Sequence, residues 1–196
     1  MRVIAGEYGG RTLKAPKGRD TRPTTDRVRE SLFSSLNSAR GGFDDAVVLD
    51  AFAGSGALGI EALSRGAAFA CMCECNRAAL QVLQANTSFL APGSFRIARI
   101  DVEKQLPPAP SKRSMSHAAF DLILLDPPYD FSAAQVCALL ERLQDVQLVA
   151  PDALLSYEHA AALDPTSEKA WLSLQWQHLQ TRSYGDTALS LFRKEG

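Results

Sequence analysis

One stretch of this sequence constrains the fold more than any other. Residues 47–59 predict a buried strand that ends in an acidic residue, followed by a glycine turn and the start of a helix. Gly54, Gly56 and Gly59 match the G-x-G-x-x-G pattern of a cofactor turn between a strand and a helix. Because glycines also mark ordinary turns, the pattern alone does not identify a ligand. It does predict a strand–turn–helix unit at the centre of the fold.

The rest of the chain alternates apolar strands with amphipathic helices. The predicted strands are Ala46–Ala51, Ala67–Cys73, Ser94–Ile100, Ala119–Leu125 and Leu154–Tyr157, and the predicted helices are Asp26–Asn37, Ala57–Arg65, Arg77–Phe89 and Ala133–Leu143. This alternation predicts a Rossmann-like, doubly wound α/β sheet that is mostly parallel, with the first and fourth strands adjacent. From Leu172 to Phe192, alternation of apolar and polar residues around Gly185 predicts a closing antiparallel hairpin.

The N-terminal forty residues differ from the rest in charge. Residues 1–40 hold nine basic and four acidic groups, a net +5, although the whole chain carries −1. We expect a small basic extension over 1–40, with Arg2–Ala5 paired to Thr12–Ala15 ahead of the first helix, and a catalytic domain over 41–196. A basic segment on an acidic body fits a polyanion such as nucleic acid, and it fits a solvated surface equally well.

Length and composition limit the class of protein, its location in the cell and its metal content. The 196 residues suffice for one domain, and no apolar run approaches the roughly 20 residues of a membrane span. Without an apolar signal core, a cytoplasmic protein is expected. Cys71, Cys73 and Cys75 share one face of a predicted strand. Three ligands in a row do not surround a metal tetrahedrally, so we expect core packing and no metal site.

Four acidic residues stand at the ends of predicted strands: Asp50, Glu74, Asp101 and Asp126. In an open parallel sheet, ligands bind beyond these carboxyl ends. A dinucleotide would place its phosphates near Asp50, and like charges at ~5 Å with an effective dielectric of ~20 repel by roughly 3 kcal/mol. With S-adenosylmethionine the electrostatic interaction with Asp50 becomes attractive, because this cofactor carries a sulfonium and an ammonium and no phosphate.

The same residues then take definite roles. Asp50 would attract the methionine amino group, and the backbone of Gly54, Ser55 and Gly56 would approach the cofactor without a Cβ in the way. Glu74 would hold the ribose hydroxyls, and Asp101 would accept from the adenine amine.

A second motif, Asp126-Pro127-Pro128-Tyr129, ends the fourth predicted strand. Pro-Pro alone indicates little, but here an acidic residue leads it and Asp50 faces it across the predicted sheet. The Asp126 carboxylate and the Pro127 carbonyl would accept the two hydrogens of an exocyclic amine and stabilise the charge that develops on it. Tyr129 would stack on a flipped-out base. These residues predict methylation of an amine on a nucleobase.

The sequence resembles the RsmD-type methyltransferases over nearly its whole length. The resemblance rests on 2–6, 22–24, 29–30, 49–67, 126–129 and 184–187. It implies a class I S-adenosylmethionine-dependent methyltransferase fold and transfer to N2 of a guanine in 16S ribosomal RNA of the small subunit or its precursor. We also expect Phe52, Cys75 and Val102 to lie beside the cofactor. Cys75-Asn76 and a long 107–116 loop, expected at the surface, depart from the family pattern.

The resemblance assigns the basic extension to RNA binding by a monomeric enzyme. The candidate RNA-contacting residues are Arg2, Arg11, Arg22, Thr24, Arg27 and Arg29. Arg29 is equally well explained as a helix-surface partner of Asp26. Three alternatives are a DNA or RNA adenine-N6 methyltransferase, a nicotinamide oxidoreductase and a non-catalytic binding module. Asp50 and the 126–129 motif argue against the second, and the intact motif argues against the third.

Overall fold

The fold is known from a computed structural model that describes residues 1–15, 26–110, 119–128, 131–167, 171 and 173–196. Its helices are α1 (Asp26–Arg40), α2 (Ala57–Ser64), α3 (Arg77–Thr87) and α4 (Ala133–Asp145), with a short 3₁₀ turn at Pro165–Ser167. Its strands are β1 (Val47–Asp50), β2 (Phe69–Cys73), β3 (Phe95–Ala98), β4 (Phe120–Leu125), β5 (Val149–Ala160), β6 (Trp176–Tyr184) and β7 (Thr187–Lys194).

All seven strands form one sheet in the order β3-β2-β1-β4-β5-β7-β6. The first five strands pair in parallel, whereas β7 runs antiparallel to both β5 and β6. Every residue of β1 and β2 is buried, as expected for strands covered on both faces. The predicted mostly parallel sheet with an antiparallel C-terminal hairpin is therefore confirmed, and so is the adjacency of β1 and β4.

The helices cover the two faces of the sheet unequally. On one face, α1, α2 and α3 bury Phe33, Ile60 and Leu83. On the other face, α4 packs together with Trp171, whose ring is stacked 4.5 Å from the ring of Phe192 at an interplanar angle of 7°. Buried apolar side chains on both faces stabilise the fold by roughly 1.5–3 kcal/mol each. The glycine turn after β1 lies on the three-helix face, between α2 and β2.

Several predicted strand boundaries were wrong. β5 extends on both sides of Leu154–Tyr157, because β4 pairs with it at Val149 and β7 pairs with it as far as Ala160. β3 ends at Ala98. β6 begins at Trp176, because the preceding Gln175 has a positive φ of 56° that an extended strand does not allow. Leu172, which the pattern assigned to that strand, lies outside the described residues.

The cysteines divide between the core and the surface. Cys71 and Cys73 are buried in β2, as predicted for core packing. Cys75 lies beyond the end of β2 and is exposed, which corrects its place in the buried row. Among the described residues, no group of three or more His, Cys, Asp and Glu is placed to hold a metal ion. No helix in the same part of the chain is both long and apolar enough to cross a membrane.

The loop after β3 differs from the expected surface segment. Pro107 and Pro110 are buried, so its first residues pack on the domain, and residues 111–118 lie outside the described part. Near the N-terminus, Arg2 and Thr12 form an antiparallel bridge, as the predicted pairing required. α1 runs three residues beyond its predicted end at Asn37, to Arg40, whose guanidinium pairs with Asp121 at 2.7 Å.

Candidate active site

The three glycines of the turn differ in what a side chain would contact at each position. Gly56 has a φ of +83°, and a Cβ there would lie 2.4 Å from Leu83 of α3. A Cβ on Gly59 would lie 2.8 Å from Met72 of β2. A Cβ on Gly54 would meet nothing closer than a carbonyl oxygen at 4.0 Å. Gly56 and Gly59 are therefore needed for packing of α2, and only Gly54 borders open space.

Asp50 ends β1 beneath this turn and is almost fully buried, at 1% exposure. Its Oδ2 accepts a hydrogen bond from the Gly59 N–H at 3.0 Å. Its Oδ1 is buried and has no hydrogen-bond partner within the described structure. A buried carboxylate oxygen without a donor is costly, so the site is suited to a ligand that brings an N–H donor and positive charge.

The surroundings of Asp50 raise its pKa to about 7. Burial is the largest cause, the backbone N–H groups of Gly59 and, to a smaller extent, Phe52 act in the opposite direction, and the charges of Asp126 and Glu74 add to the rise. Both neighbours follow from the sheet register. Asp50 pairs with Met72 of β2 and Leu124 of β4, and each of these two acidic residues lies two positions further along its strand direction. Three carboxylates thus converge on the carboxyl end of β1, which favours a cationic ligand.

Glu74 is part of the turn itself. Its Oε2 accepts from the Gly54 N–H at 2.9 Å and its Oε1 from the Asn76 N–H at 2.6 Å. Asn76 in turn caps α3, because its Oδ1 accepts from the N–H groups of Ala78 and Ala79. The carboxylate therefore braces the glycine turn from the side. Each oxygen retains a further lone pair for a ligand hydroxyl.

The residues assigned to the adenine end lie further out. Since β3 ends at Ala98, Asp101 stands in the following turn, where Lys104 pairs with it at 2.8 Å. That hydrogen bond lowers the pKa of Asp101, so the carboxylate is a charged acceptor. Val102 is buried, and its carbonyl accepts from Arg142 of α4 at 3.2 Å. Cys75 is exposed beside these residues, and its pKa is raised by burial of the thiol and by Glu74.

The 126–129 motif closes the rim on the other side of Asp50. Asp126 and Pro127 follow β4 and are partly exposed, whereas Tyr129 lies outside the described residues. The chain then turns, with the Phe131 N–H donating to the Pro128 carbonyl at 2.9 Å. The Phe131 ring meets that of Phe52 edge-on, at 5.1 Å between centroids and 70° between planes.

Phe131 is a site residue that the sequence reading missed. Its signal was an aromatic residue immediately before Ser132, which with Gln135 forms the capping box of α4. Together, Phe52 and Phe131 supply an apolar wall next to the acidic rim.

The side chain of Ser55 faces away from the rim. Its hydroxyl lies 3.4 Å from the Sδ of Met1, and its carbonyl accepts from the Nδ2 of Asn86 at 2.9 Å. The predicted cofactor contact of Ser55 is through its backbone, which is part of the turn, and its side chain is engaged by Met1. Met1 and Asn86 were not among the sequence candidates, because 54 and 31 positions separate them from Ser55.

The N-terminal segment is bound to α2 by one buried carboxylate. Glu61 is 0% exposed, and its oxygens accept from the N–H groups of Ile4 at 2.7 Å and Ala5 at 3.1 Å and from Arg65 at 2.7 Å. Gly6 is required beside it, because a Cβ there would lie 1.7 Å from the carbonyl oxygen of Ser64. The basic segment is thus built onto the helix that follows the glycine turn.

The candidate RNA-contacting arginines are not equivalent. Arg2, Arg11 and Arg27 are exposed, and the Arg11 guanidinium lies 3.8 Å above the ring of Phe89. Arg29 is 1% exposed, so contact with an RNA phosphate is corrected for this residue. It pairs with Asp26 at 2.8 Å and donates to the Arg2 carbonyl, as a structural link between α1 and the N-terminal segment. Arg22 and Thr24 lie outside the described residues.

The strand order and the acidic rim beside a glycine turn define a class I methyltransferase fold. The family model described as conserved hypothetical protein 95 matches residues 1–193. The chain belongs to this family, which is the RsmD-type group whose motifs it resembles.

Individual relatives agree with the family match over most of their length. The chain is 34% identical to ribosomal RNA small subunit methyltransferase D of Escherichia coli K12 over 195 residues, covering 100% of this chain and 90% of that protein. It is 34% identical to the protein of the same name from Haemophilus influenzae over 158 residues, covering 81% and 78%. The solved structure of Escherichia coli yhhF is 32% identical with a TM-score of 0.78, covering 100% and 98%.

Proposed function

We propose that this protein transfers a methyl group from S-adenosylmethionine to the exocyclic N2 amine of a guanine in 16S ribosomal RNA of the small subunit. The observation that carries the proposal is the buried Oδ1 of Asp50 at the carboxyl end of β1, which has no hydrogen-bond donor among the described residues, while Asp126 stands beyond the neighbouring strand. The names of the relatives support ribosomal RNA as the substrate class.

The cofactor chemistry follows from the acidic rim. Asp50 accepts the N–H groups of the methionine ammonium, which gives its Oδ1 a charge-assisted partner. Glu74 accepts from the ribose hydroxyls with the lone pairs left over from its bonds to Gly54 and Asn76. Asp101 accepts from the adenine amine, with Cys75 and Val102 beside it. Phe52 covers the cofactor from the apolar side. When bound, S-adenosylmethionine supplies an electrophilic methyl group on a sulfonium.

The remaining residues act on the nucleobase. Asp126 and the Pro127 carbonyl accept the two N2 hydrogens, which directs the nitrogen lone pair at the methyl carbon and stabilises the positive charge that forms. Tyr129 stacks on the base after it leaves its helix. No covalent intermediate is needed, so positioning of nitrogen and methyl in line contributes most of the rate.

The RNA is held by the N-terminal segment. Arg2, Arg11 and Arg27 are exposed, and we assign phosphate contacts to them and RNA contact also to Arg22 and Thr24, which lie outside the described residues. In this proposal, residues 1–40 form the RNA-contacting extension and 41–196 the catalytic domain of a monomeric, cytoplasmic enzyme.

The decisive test incubates the protein with labelled S-adenosylmethionine and small subunits that lack the mark, followed by digestion of the RNA to nucleosides. Label in N2-methylguanosine is expected. Label in N6-methyladenosine would instead favour the alternative of an adenine-N6 methyltransferase, whose amine chemistry is the same. No label in RNA, with label in DNA, would reject the proposal.

Asp126→Asn separates the chemistry from cofactor binding. The amide keeps the size of the side chain but removes the charge that stabilises the transition state, so we expect kcat to fall by about 10²–10³. The Kd for S-adenosylmethionine, measured by calorimetry, should stay within a few-fold of the wild-type value. An unchanged kcat with a weakened Kd would assign Asp126 to the cofactor instead.

A further inference from the structure

Asn86, the penultimate residue of α3, joins two parts of the chain that the proposed function uses separately. Its side chain is 4% exposed and makes three hydrogen bonds, none within its own helix. Its Oδ1 accepts from the Lys14 N–H at 2.9 Å, and its Nδ2 donates to the Lys14 carbonyl and to the Ser55 carbonyl, both at 2.9 Å. Every polar atom of the amide is therefore used, and only this orientation of the amide satisfies all three partners.

The two partners of Asn86 belong to the two proposed binding sites. Lys14 lies in the basic N-terminal segment, just ahead of residues 16–25 with Arg22 and Thr24. Ser55 lies in the glycine turn, next to Gly54, whose N–H is held by Glu74. The turn and the segment are thus bonded to the same buried amide.

A second contact runs between the same two regions. The Sδ of Met1 lies 3.4 Å from the Ser55 hydroxyl and 3.8 Å from Nη1 of Arg29. Ser55 is therefore contacted on its hydroxyl and on its carbonyl by groups fixed to the N-terminal segment. From the sheet side, the turn is held by Glu74 at the Gly54 N–H, by Asp50 at the Gly59 N–H and by the Cys73 carbonyl at the Ala53 N–H.

We propose that Asn86 is a positioning residue that couples RNA binding on the N-terminal segment to S-adenosylmethionine binding on the glycine turn. The inference rests on the proposed function. With the amide bonded to both partners, the segment and the turn are ordered together, and the ligand that binds first contributes the ordering for both. The ligand that binds second then binds more tightly. By linkage, each ligand must strengthen the other by the same factor.

The coupling is measured as a ratio of dissociation constants. The Kd of the unreactive cofactor analogue sinefungin is determined with and without saturating small subunits that lack the mark. In the wild-type protein we expect the subunits to lower this Kd by at least about fivefold, the lower end of usual coupling factors. A ratio of one in the wild-type protein would overturn the proposal without any variant.

Variants assign the coupling to the amide. Asn86→Leu removes all three hydrogen bonds at similar size, and Asn86→Asp keeps the acceptor for Lys14 but loses both donors. Both should bring the ratio close to one, while the Kd for sinefungin alone changes less than the ratio does. Thr87→Val is the matched control, because Thr87 is equally buried and its hydroxyl donates to Leu83 and Gln84 within α3. Its ratio should equal that of the wild type.

The outcomes distinguish this inference from the proposed function. Normal methylation of N2-guanine with a coupling ratio that Asn86→Leu and Asn86→Asp leave intact would overturn the role of Asn86 alone. Absence of RNA methylation by the wild-type protein would overturn the proposed function. Circular dichroism shows which variants are folded, and the Asp variant tests the proposal if the Leu variant is not.

Discussion

Two carboxylates are buried on either side of the glycine turn, and their oxygen atoms are treated in opposite ways. Glu61 on α2 is 0% exposed and accepts from Ile4, Ala5 and Arg65. Asp50 on β1 is 1% exposed, yet among the described residues only one of its oxygens has a hydrogen-bond donor. The two carboxylates are thus buried to the same extent, but they differ in how many of their oxygens accept a hydrogen bond. A fully paired buried acid holds the fold together, whereas a half-paired one costs stability and is explained by a ligand.

The comparison is tested most strongly at Glu61. Glu61→Ala leaves two backbone N–H groups and the Arg65 guanidinium without their buried partner. Removal of one member of a buried pair costs about 3–5 kcal/mol, and we expect a loss of that size in the free energy of unfolding, measured with urea. Glu141→Ala on the exposed side of α4 is the control and should be neutral. A neutral Glu61→Ala variant would contradict the structural role of this carboxylate.

The reverse pattern is expected for Asp50. Asp50→Asn removes the charge that would pair with the methionine ammonium, so the Kd for S-adenosylmethionine at pH 8 should rise roughly 100-fold, equivalent to about 2.7 kcal/mol. The free energy of unfolding at pH 8 should rise or stay constant, since the variant no longer buries a carboxylate charge. Loss of stability together with unchanged cofactor affinity would show that Asp50, like Glu61, has a structural role and does not bind the cofactor.

The raised pKa of Asp50 gives this contrast a pH dependence. Because the folded-state pKa of about 7 exceeds that of an unfolded aspartate, about 3.9, the folded state keeps a proton that the unfolded state releases. The contribution of Asp50 to stability is therefore present below about pH 4 and lost as pH rises to 7. The difference in free energy of unfolding between wild type and Asp50→Asn should follow this window.

Cofactor affinity should also depend on the ionisation of Asp50, but it should increase with pH, whereas the contribution of Asp50 to stability decreases. Between about pH 5.5 and 7, the Kd for S-adenosylmethionine should fall up to tenfold per pH unit, because the ammonium requires the ionised carboxylate. Isothermal titration calorimetry in buffers of different ionisation enthalpy measures the proton released on binding. A flat profile in the wild-type protein would show that Asp50 does not ionise to bind the cofactor.

The smallest expected effect extends the comparison to two arginines of α1. Arg27 is exposed and Arg29 is buried against Asp26, although only two positions separate them. Arg27→Glu should weaken RNA binding several-fold and reduce the slope of log K against log salt by roughly one. Lys194→Glu, a charge reversal at the end of β7, is the control. An unchanged slope for Arg27→Glu would show that Arg27 is an ordinary surface residue that does not contact the RNA.

The sequence predicted those parts of the site that depend on local order. The run from β1 through the glycine turn, and the acidic residues that end β1, β2 and β4, follow from strand periodicity and turn chemistry within a few residues. The parallel order of the strands follows from the alternation of strand and helix. Asp50 could therefore be placed at the rim without coordinates.

The errors concern contacts between residues far apart in the chain. Arg29 was left open between RNA contact and pairing with Asp26; the pairing is confirmed, but its burial against the Arg2 carbonyl, 27 positions away, was not predicted. Asn86 was not considered because nothing near it in sequence indicates a bond to Lys14, 72 positions distant. Asp101 was placed at a strand end because the apolar pattern continues to Ile100, whereas pairing with β2 stops at Ala98.

The stack of Trp171 on Phe192 has a practical consequence for spectroscopy. The protein has two tryptophans, and the other, Trp176, is also buried near α4, where its indole N–H donates to Gln144 at 3.0 Å. Both indole rings therefore lie on the face of the sheet that α4 covers, whereas Glu61 and Asn86 lie on the three-helix face. Intrinsic fluorescence reports on the closing hairpin and α4, while far-ultraviolet circular dichroism reports on the whole chain. Coincident transitions of the two signals would establish that the N-terminal segment and the hairpin unfold as one cooperative unit.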